Sequence, residues 1–385
     1  MNLLKAIGLS VGTAILSTVL TMQAITNVLE NDQPALAASV SPLNGFALER
    51  IAFSRFQSEG GGALEPLLKQ VLKKEPLSPT AWTILALAQE NDAKKEEILL
   101  AASKLNRRTL PLQSSLLLLY ASRDDLINST KVLNQILAVY PEQQETIFPI
   151  LIQALKDERS IPQIVQALSN RPGWSDKFLT AASRDSDALT NLTRLRMSLL
   201  DKISVERDTD EAIINGLVHA GRLESAAELY RRISEPSAGG GIGAVGKLQR
   251  LNWSTKMPPF DWQLNDSPGE RAQVVEKPDR LEFFVRRGKA GVLAERILAV
   301  PNSFRLEIKH SISPVQQLED IRIELECQKT KKKFFDQSFT QSPSKYSVGP
   351  VTSDCEYARL SLSARAWSDK ADIRGTIYSI VLVPL

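Results

Sequence analysis

The chain has 385 residues, of which 43% are hydrophobic and 24% are charged, and its 47 basic and 44 acidic side chains give a net charge of +3. This length predicts two or three domains rather than one compact core. The composition excludes a chain that is disordered throughout, a collagen and a protein that spans a membrane many times. The near balance of charge excludes the strong basic field of a nucleic-acid-binding protein.

Histidine and cysteine, the residues of most metal sites and many nucleophile pairs, are scarce. The chain has two of each, His219 with His310 and Cys327 with Cys355, and their spacing fits no metal site. We therefore expect no catalytic residues, no metal ligands and no cofactor, and we expect that the protein is not an enzyme.

The N-terminal segment predicts a membrane anchor. No charged residue occurs between Lys5 and Glu30, so residues 6–29 can form a helix of about 36 Å, which exceeds the roughly 30 Å of a bilayer's hydrocarbon core. We predict a signal anchor over residues 1–30 and a linker over 31–41. The positions of Lys5 and Glu30 predict a single pass through a bacterial inner membrane, with the N-terminus in the cytoplasm and the bulk in the periplasm.

A cleaved signal peptide is the alternative for this segment. Residues Ala35-Leu36-Ala37 have the small residues of a cleavage site, and cleavage there would give a soluble periplasmic protein. The pattern lies well beyond the apolar stretch and after Glu30, so we favour the anchor and leave cleavage as an alternative.

Residues 42–236 have the pattern of short amphipathic helices. Apolar residues recur at intervals of three and four, as at Leu133, Ile136 and Leu137. Prolines predicted to end helices suggest a repeat of about 32 to 34 residues; they are Pro76, Pro111, Pro141, Pro172 and Pro236. Such a period predicts an α-solenoid whose concave side binds a protein partner.

Two segments of this region resemble tetratricopeptide (TPR) repeats. Residues 82–89 are similar to the first helix of a repeat, although Gln89 stands where the family usually has tyrosine, and residues 221–230 are similar to the second helix. The resemblance implies a TPR-like solenoid that binds a protein; a generic helical bundle is the alternative. The packing residues that it implies are Trp82, Gly221, Ala226 and Tyr230.

Residues 237–271 are predicted to be a linker and domain junction. Gly241, Gly243 and Gly246 form a G-x-G-x-x-G pattern, but a dinucleotide site needs a preceding strand, and here a predicted helix precedes it. We therefore interpret the glycines as a flexible connection. Three aromatic residues after it are expected to pack at the junction: Trp253, Phe260 and Trp262.

From residue 272 to residue 385 the apolar residues alternate with polar ones, as at Leu281, Phe283 and Val285. The segment predicts an antiparallel β-sandwich of jelly-roll type, so the fold class is multidomain α + β. Its last strand, Thr376–Pro384, resembles the closing strand of galactose-binding-type jelly rolls and carbohydrate-binding modules. That resemblance implies a sugar site.

Two candidate ligand sites are found in the predicted sandwich. Trp367 and Asp369 lie in a predicted loop, where an aromatic face beside a carboxylate suits a glycan; a structural tryptophan is the alternative reading. Asp354 and Glu356 share one strand face and could form the carboxylate pair of a glycoside hydrolase, which is the enzymatic alternative. We interpret His310 as structural.

Both cysteines lie in the predicted sandwich and in an expected oxidising compartment, so we predict a disulfide between Cys327 and Cys355. The whole layout resembles bacterial TPR proteins that are associated with surface polysaccharide assembly. This resemblance implies a non-enzymatic envelope scaffold whose solenoid binds a protein and whose sandwich binds glycan or another subunit. A glycan-active enzyme and a pure carbohydrate-binding protein remain the alternatives.

Overall fold

The computed structural model describes residues 17–18, 20–29, 32–41, 44–60, 64–105, 108–234 and 248–385. Helices occupy the N-terminal part and antiparallel sheets the C-terminal part, so the protein has the α + β organisation that the sequence predicts. The chain divides into two compact units, Met1–Ile147 and Phe148–Leu385. The second unit contains helices as well as both sheets.

The helices follow one another with short connections. The first, α1, covers residues 20–29. It is followed by α2 (Pro34–Val40), α3 (Gly45–Glu59), α4 (Glu65–Lys74), α5 (Pro79–Leu87), α6 (Asp92–Leu105), α7 (Leu110–Ala121), α8 (Leu126–Val139) and α9 (Gln144–Leu155), which contains the boundary between the units. The second unit continues with α10 (Ile161–Leu168), α11 (Ser175–Ala182), α12 (Leu189–Leu199), α13 (Arg207–His219) and α14 (Leu223–Ile233).

Several helices begin where the sequence supplies a cap or a proline. The side chains of Asn44, Ser78 and Asp125 accept hydrogen bonds from backbone N–H groups in the first turns of α3, α5 and α8. The prediction that the prolines end helices is wrong at Pro111, which lies in the first turn of α7. A proline is tolerated there because the first N–H groups of a helix have no intrahelical partner.

Helices that are adjacent in sequence pack against each other in the first unit, as do α3 with α4, α5 with α6 and α7 with α8. Their buried faces form two apolar clusters, one containing Leu68 and Val71 and the other containing Leu99 and Leu112. Within the described residues, no helix is both long enough and apolar enough to cross a membrane. Most of the predicted anchor, including residues 6–16, lies outside those residues.

The strands are short near residue 250 and longer after residue 270. They are β1 (Gln249–Arg250), β2 (Gln263–Leu264), β3 (Asp266–Ser267), β4 (Glu270–Glu276), β5 (Asp279–Val285), β6 (Lys289–Ala299), β7 (Phe304–Ser313), β8 (Ile321–Cys327), β9 (Lys333–Ser338), β10 (Ser344–Val348), β11 (Tyr357–Ala366) and β12 (Ile373–Pro384). The sequence assigned 237–271 to a linker, but β1, β2 and β3 lie there. Strands of two residues carry too little alternation to be recognised.

Two antiparallel sheets are present in the described residues. One has the order β10-β7-β12-β5-β4-β3 with β1 paired to β12, and the other has the order β2-β6-β11-β8-β9. The buried side chains of both sheets form one hydrophobic cluster, which contains Leu281, Phe304, Leu325 and Leu360. The opposite side chains of β4, β5, β7 and β12 are therefore free to form a polar surface, because successive side chains of a strand point to opposite faces.

Candidate functional site

One row of side chains crosses four strands of the larger sheet. The strand register pairs Arg271 of β4 with Phe284 of β5, Phe284 with Arg374 of β12, and Arg374 with Ser313 of β7. The four residues alternate with the buried residues of their strands, so they share the face that points away from the core. The register thus places an aromatic ring between two arginines.

A second row runs parallel to the first, two residues along each strand. It joins Gln273, Glu282, Thr376 and Ser311 through the same strand pairs. The two rows line a concavity of about 540 Å³. A volume of this size suits a small ligand or a short segment of a polymer.

The row of two arginines and Phe284 carries two positive charges, and the strand register places one carboxylate, that of Asp266 on β3, beside Arg271. The Cζ atoms of Arg271 and Arg374 lie 5.8 Å and 5.5 Å from the centroid of the Phe284 ring, within the range of a cation–π contact. Among the residues that the structure describes, no carboxylate forms an ion pair with either guanidinium. Each guanidinium therefore keeps donors for a ligand.

The one carboxylate among the described residues that line this concavity is Glu282, and it has a partner of its own. The Arg280 guanidinium lies 2.8 Å from its Oε1 atom, and Arg280 Nε donates a 2.9 Å hydrogen bond to the same atom. This hydrogen bond from Arg280 lowers the pKa of Glu282, so the carboxylate is charged near neutral pH. Glu282 is thus held by Arg280 and leaves Arg271 and Arg374 unpaired.

Gly375 helps to shape the concavity between Arg374 and Thr376. Its inward side is covered by the ring of Phe283, and a Cβ atom at this position would collide with that ring. An aromatic side chain packed over a strand glycine compensates for the packing that the glycine lacks. The backbone of Gly375 is part of the lining of the concavity.

A larger cavity of about 980 Å³ adjoins this concavity and shares Arg271 and Gln273 with it. Its other walls come from α14 and from the segment that precedes β2, both in the second unit. Carboxylates of β3, β4 and β5 line it, among them Asp266, Glu276 and Asp279. The larger cavity is lined by the cations Arg207 and Lys256 as well, so its charge is mixed.

A buried hydrogen-bond network joins α14 to the sheets. The Tyr230 phenol donates a 2.7 Å hydrogen bond to Oδ1 of Asp261, and Ser254 Oγ and the Met257 backbone N–H donate to Oδ2 at 2.7 Å and 3.0 Å. Asp261 is 3% exposed, so these three donors replace the water that a buried carboxylate needs. The arrangement fixes the last helix to the sheets and is structural.

Aromatic residues surround this network, as the sequence predicts. Phe260 packs against Tyr230 with ring centroids 5.3 Å apart, and Trp253 stacks on Trp262 at 5.1 Å. The buried Arg296 guanidinium lies over the Trp262 ring, 5.5 Å from its centroid. Sequence reasoning missed Arg296, because an arginine in an apolar strand gives no sign of its partners.

The predicted glycan residues Trp367 and Asp369 lie in the connection between β11 and β12 and do not line the 540 Å³ concavity. Trp367 is 42% exposed. The Arg365 guanidinium stacks on its ring at 3.8 Å, and its Nε1 donates a 2.9 Å hydrogen bond to Asp320. One aromatic face and the indole N–H are thus already engaged.

The four predicted packing residues lie in helical regions of the chain. The Trp82 indole donates a 2.9 Å hydrogen bond to the Pro76 carbonyl. Gly221 follows α13 with a φ of 73°, a conformation that favours glycine, and Ala226 of α14 is completely buried. Tyr230 is buried as well, but its hydroxyl also binds Asp261, which the sequence did not indicate.

The predicted disulfide between Cys327 and Cys355 is present, with the two Cα atoms 5.4 Å apart. Cys327 ends β8, and Cys355 lies in the turn before β11 begins at Tyr357. The side-chain alternation of β11 therefore does not apply to Cys355. The prediction that Asp354 and Glu356 share one strand face is wrong, because both residues precede β11. Asp354 is exposed and lies 3.9 Å from the Lys329 ammonium group.

His310 occupies a structural position. Its Nε2 lies 2.9 Å from Ser344 Oγ, and its ring packs against Phe339 with a centroid distance of 4.9 Å. Burial lowers the pKa of His310, so the ring is neutral near neutral pH. In the described residues, no group of three or more His, Cys, Asp or Glu side chains could hold a metal ion. Gly241, Gly243 and Gly246 lie outside the described residues.

A comparison of the chain with models of protein families found no match. A search of curated proteins likewise found no relative.

Proposed function

We propose that the protein is a non-enzymatic envelope scaffold that binds glycan on the outward face of β4, β5, β12 and β7. The observation that carries the proposal is the concavity lined by the two cross-strand rows. It combines an aromatic ring at Phe284 with hydroxyl and amide groups at Ser311, Thr376 and Gln273. Sugars need these two kinds of group, because their C–H groups pack against an aromatic side chain and their hydroxyls form hydrogen bonds.

The charge state of Glu282 favours binding over hydrolysis. A glycoside hydrolase needs two carboxyl groups across its cleft, and one of them must keep its proton through a raised pKa. Glu282 has a lowered pKa because of Arg280. The predicted carboxylate pair, Asp354 and Glu356, precedes β11 and does not line this concavity. The glycan-active enzyme is therefore the weaker alternative.

In this proposal the two sheets form a β-sandwich of jelly-roll type and the helices form a TPR-like solenoid that holds a protein partner. The shared hydrophobic cluster of the two sheets supports the first assignment. Packing between adjacent helices, the turn at Gly221 and the buried Ala226 support the second. The partner would be another component of surface or exopolysaccharide assembly.

We further propose that residues 6–29 anchor the protein in the inner membrane with the rest in the periplasm. The disulfide supports an oxidising compartment, and the stretch without charge between Lys5 and Glu30 supports the anchor. A reporter fused after Leu385 is expected to be active only outside the cytoplasm. A soluble protein that starts at Ala38 would instead show that the segment is a cleaved signal.

Equilibrium binding of the full-length protein to a panel of bacterial surface oligosaccharides tests the central proposal. Phe284→Ala is expected to weaken binding about tenfold, since the apolar contact between the sugar and the ring is lost. Trp367→Ala tests the loop that the sequence favoured, and Phe46→Ala is a matched control at a phenylalanine that is 55% exposed on α3. If no oligosaccharide binds, or if only Trp367→Ala weakens binding, this face is not the glycan site.

A further inference from the structure

Resting on the proposed glycan function, we infer that the concavity selects an acidic oligosaccharide, whose carboxylates are bound by Arg271 and Arg374. The strand register places both arginines in the same row, one on each side of Phe284. Neutral sugars need no such cations. Two unpaired guanidinium groups in one ligand-sized concavity therefore define the class of sugar that it binds.

Arginine is the residue best suited to a carboxylate. The planar guanidinium can donate two parallel hydrogen bonds to the two oxygens of a carboxylate, and these charge-assisted bonds are stronger than bonds between neutral groups. Packing near Phe284 also restricts the two side chains, with the Cζ atoms 5.8 Å and 5.5 Å from the ring centroid. Less conformational freedom is then lost when the ligand binds.

The remaining lining favours a uronate-bearing sugar over a bare anion or an acidic peptide. Ser311, Ser313 and Thr376 provide hydroxyl groups, and Gln273 provides an amide. These groups both donate and accept hydrogen bonds, as sugar hydroxyls require. Together with the Phe284 ring, they make the concavity suited to a ligand that has carboxylates, hydroxyls and an apolar face.

The charges around this concavity affect how an acidic ligand binds. The negative charge of Glu282 is paired with Arg280 on the same strand, so Glu282 repels an acidic ligand only weakly. The adjoining cavity has the carboxylates of Asp266, Glu276 and Asp279 together with the cations Arg207 and Lys256, so it presents charges of both signs to an acidic chain. A short segment of acidic polysaccharide is therefore the expected occupant.

The test measures binding of a galacturonate hexasaccharide and of a neutral hexasaccharide to the full-length protein by calorimetry. We expect the acidic sugar to bind about tenfold or more tightly, and we expect its affinity to fall when salt rises from about 0.05 M to about 0.5 M, because ions screen exposed charges. Arg271→Gln and Arg374→Gln should each weaken the acidic sugar about tenfold and leave the melting temperature unchanged.

Arg305→Gln is the matched control for charge. Arg305 lies on β7 and points to the same side of the sheet as Ser311 and Ser313, but it does not line the concavity. Arg305→Gln removes the same charge from the same sheet, so it should change the affinity for the acidic sugar by less than about twofold. A loss equal to that of Arg374→Gln would mean that binding depends only on the net charge of the sheet, and the inference would fail.

The other outcomes separate the inference from the proposed function. If the neutral sugar binds as tightly as the acidic one and both need Phe284, the acidic selection is wrong while the glycan function stands. If inorganic phosphate or a polyglutamate peptide binds at least as tightly as the acidic sugar, the concavity is a general anion site and the inference is wrong. If no sugar binds, both proposals fall.

Discussion

The hydroxyl of Tyr230 and the carboxylate of Asp261 form a buried hydrogen bond of 2.7 Å that links α14 to the segment before the main strands. The two residues are 31 positions apart in the chain. The TPR resemblance assigns Tyr230 to packing between helices. In the structure Tyr230 also joins α14 to the sheets.

Replacing Tyr230 with phenylalanine tests this link. The substitution keeps the ring against Phe260 and removes one of the three hydrogen bonds to Asp261. We expect the free energy of unfolding to fall by about 1 to 3 kcal/mol, since a buried carboxylate loses a donor. Urea unfolding measures this loss. No change would show that the hydrogen bond contributes nothing to the joining of α14 and the sheets.

The same variant should change the response to alkaline pH. Burial, followed by the charge of Asp261, raises the pKa of Tyr230 above its ordinary value of 10.0. Above about pH 10 the unfolded chain loses this proton while the folded protein keeps it, so stability is complete below that pH and falls as the pH rises. Tyr230→Phe should therefore lose less stability than the wild type between about pH 9.5 and pH 11. Equal slopes in the two proteins would contradict the raised pKa.

Gly216 of α13 tests a close approach between helical segments. A Cβ atom at Gly216 would collide with the backbone carbonyl oxygen of Ser183, and a backbone atom cannot turn away as a side chain can. We expect Gly216→Ala to destabilise the protein by about 1 to 3 kcal/mol, although alanine is the better helix former by about 1 kcal/mol.

Gly173 provides the matched control, because a Cβ atom there has no neighbour within 4 Å. Gly173→Ala should change the free energy of unfolding by less than about 0.5 kcal/mol. Thermal or urea unfolding of both variants measures these two changes in stability. A stabilised Gly216→Ala protein would mean that α13 can shift away from Ser183 at little cost.

Ala226 of α14 tests the helix packing that the TPR resemblance implies. The residue is completely buried, so Ala226→Leu must place extra atoms in a filled space. We expect a loss of about 1 to 3 kcal/mol. The exposed neighbour Glu228 lies on the same helix, and Glu228→Leu should change stability by less than about 0.5 kcal/mol. A loss below about 0.3 kcal/mol at Ala226 would remove the support for this repeat register.

The sequence predicted the helices and strands that a pattern of neighbouring residues identifies. Alternation in residues such as Leu281, Phe283 and Val285 identified β5, and the helical periodicity identified the N-terminal half. The disulfide followed from the number of cysteines and their location, because with two cysteines only one pairing exists. Pro76, Pro141 and Pro172 do follow helices, as predicted. Pro111 does not, since a proline fits the first turn of a helix as well as the end of one.

The concavity was missed because it depends on strand register. Arg271, Phe284 and Arg374 are separated along the chain and meet only because β4, β5 and β12 are neighbours. Sequence periodicity tells which face of a strand a residue occupies but not which strand lies beside it. The sequence favoured Trp367 instead, because an aromatic residue in a predicted loop can be recognised without knowledge of the strand order.

The Cys327–Cys355 bridge should be a large part of the stability of the sheets. It closes a loop of 28 positions, for which restriction of the unfolded chain contributes about 3 to 4 kcal/mol. We expect the double variant Cys327→Ala, Cys355→Ala to lose about that free energy in urea unfolding, where cavity effects add little at two small side chains.

Reduction of the wild type should lower its stability to that of the double variant, while the same reductant should leave the double variant unchanged. This control separates loss of the bridge from any effect of the substitutions or of the reductant on other residues. Thiol titration of protein prepared from the envelope under denaturing conditions should find no free thiol, as expected for an oxidising compartment. Two titratable thiols in that preparation would refute both the bridge in the cell and the support that it gives to a periplasmic location.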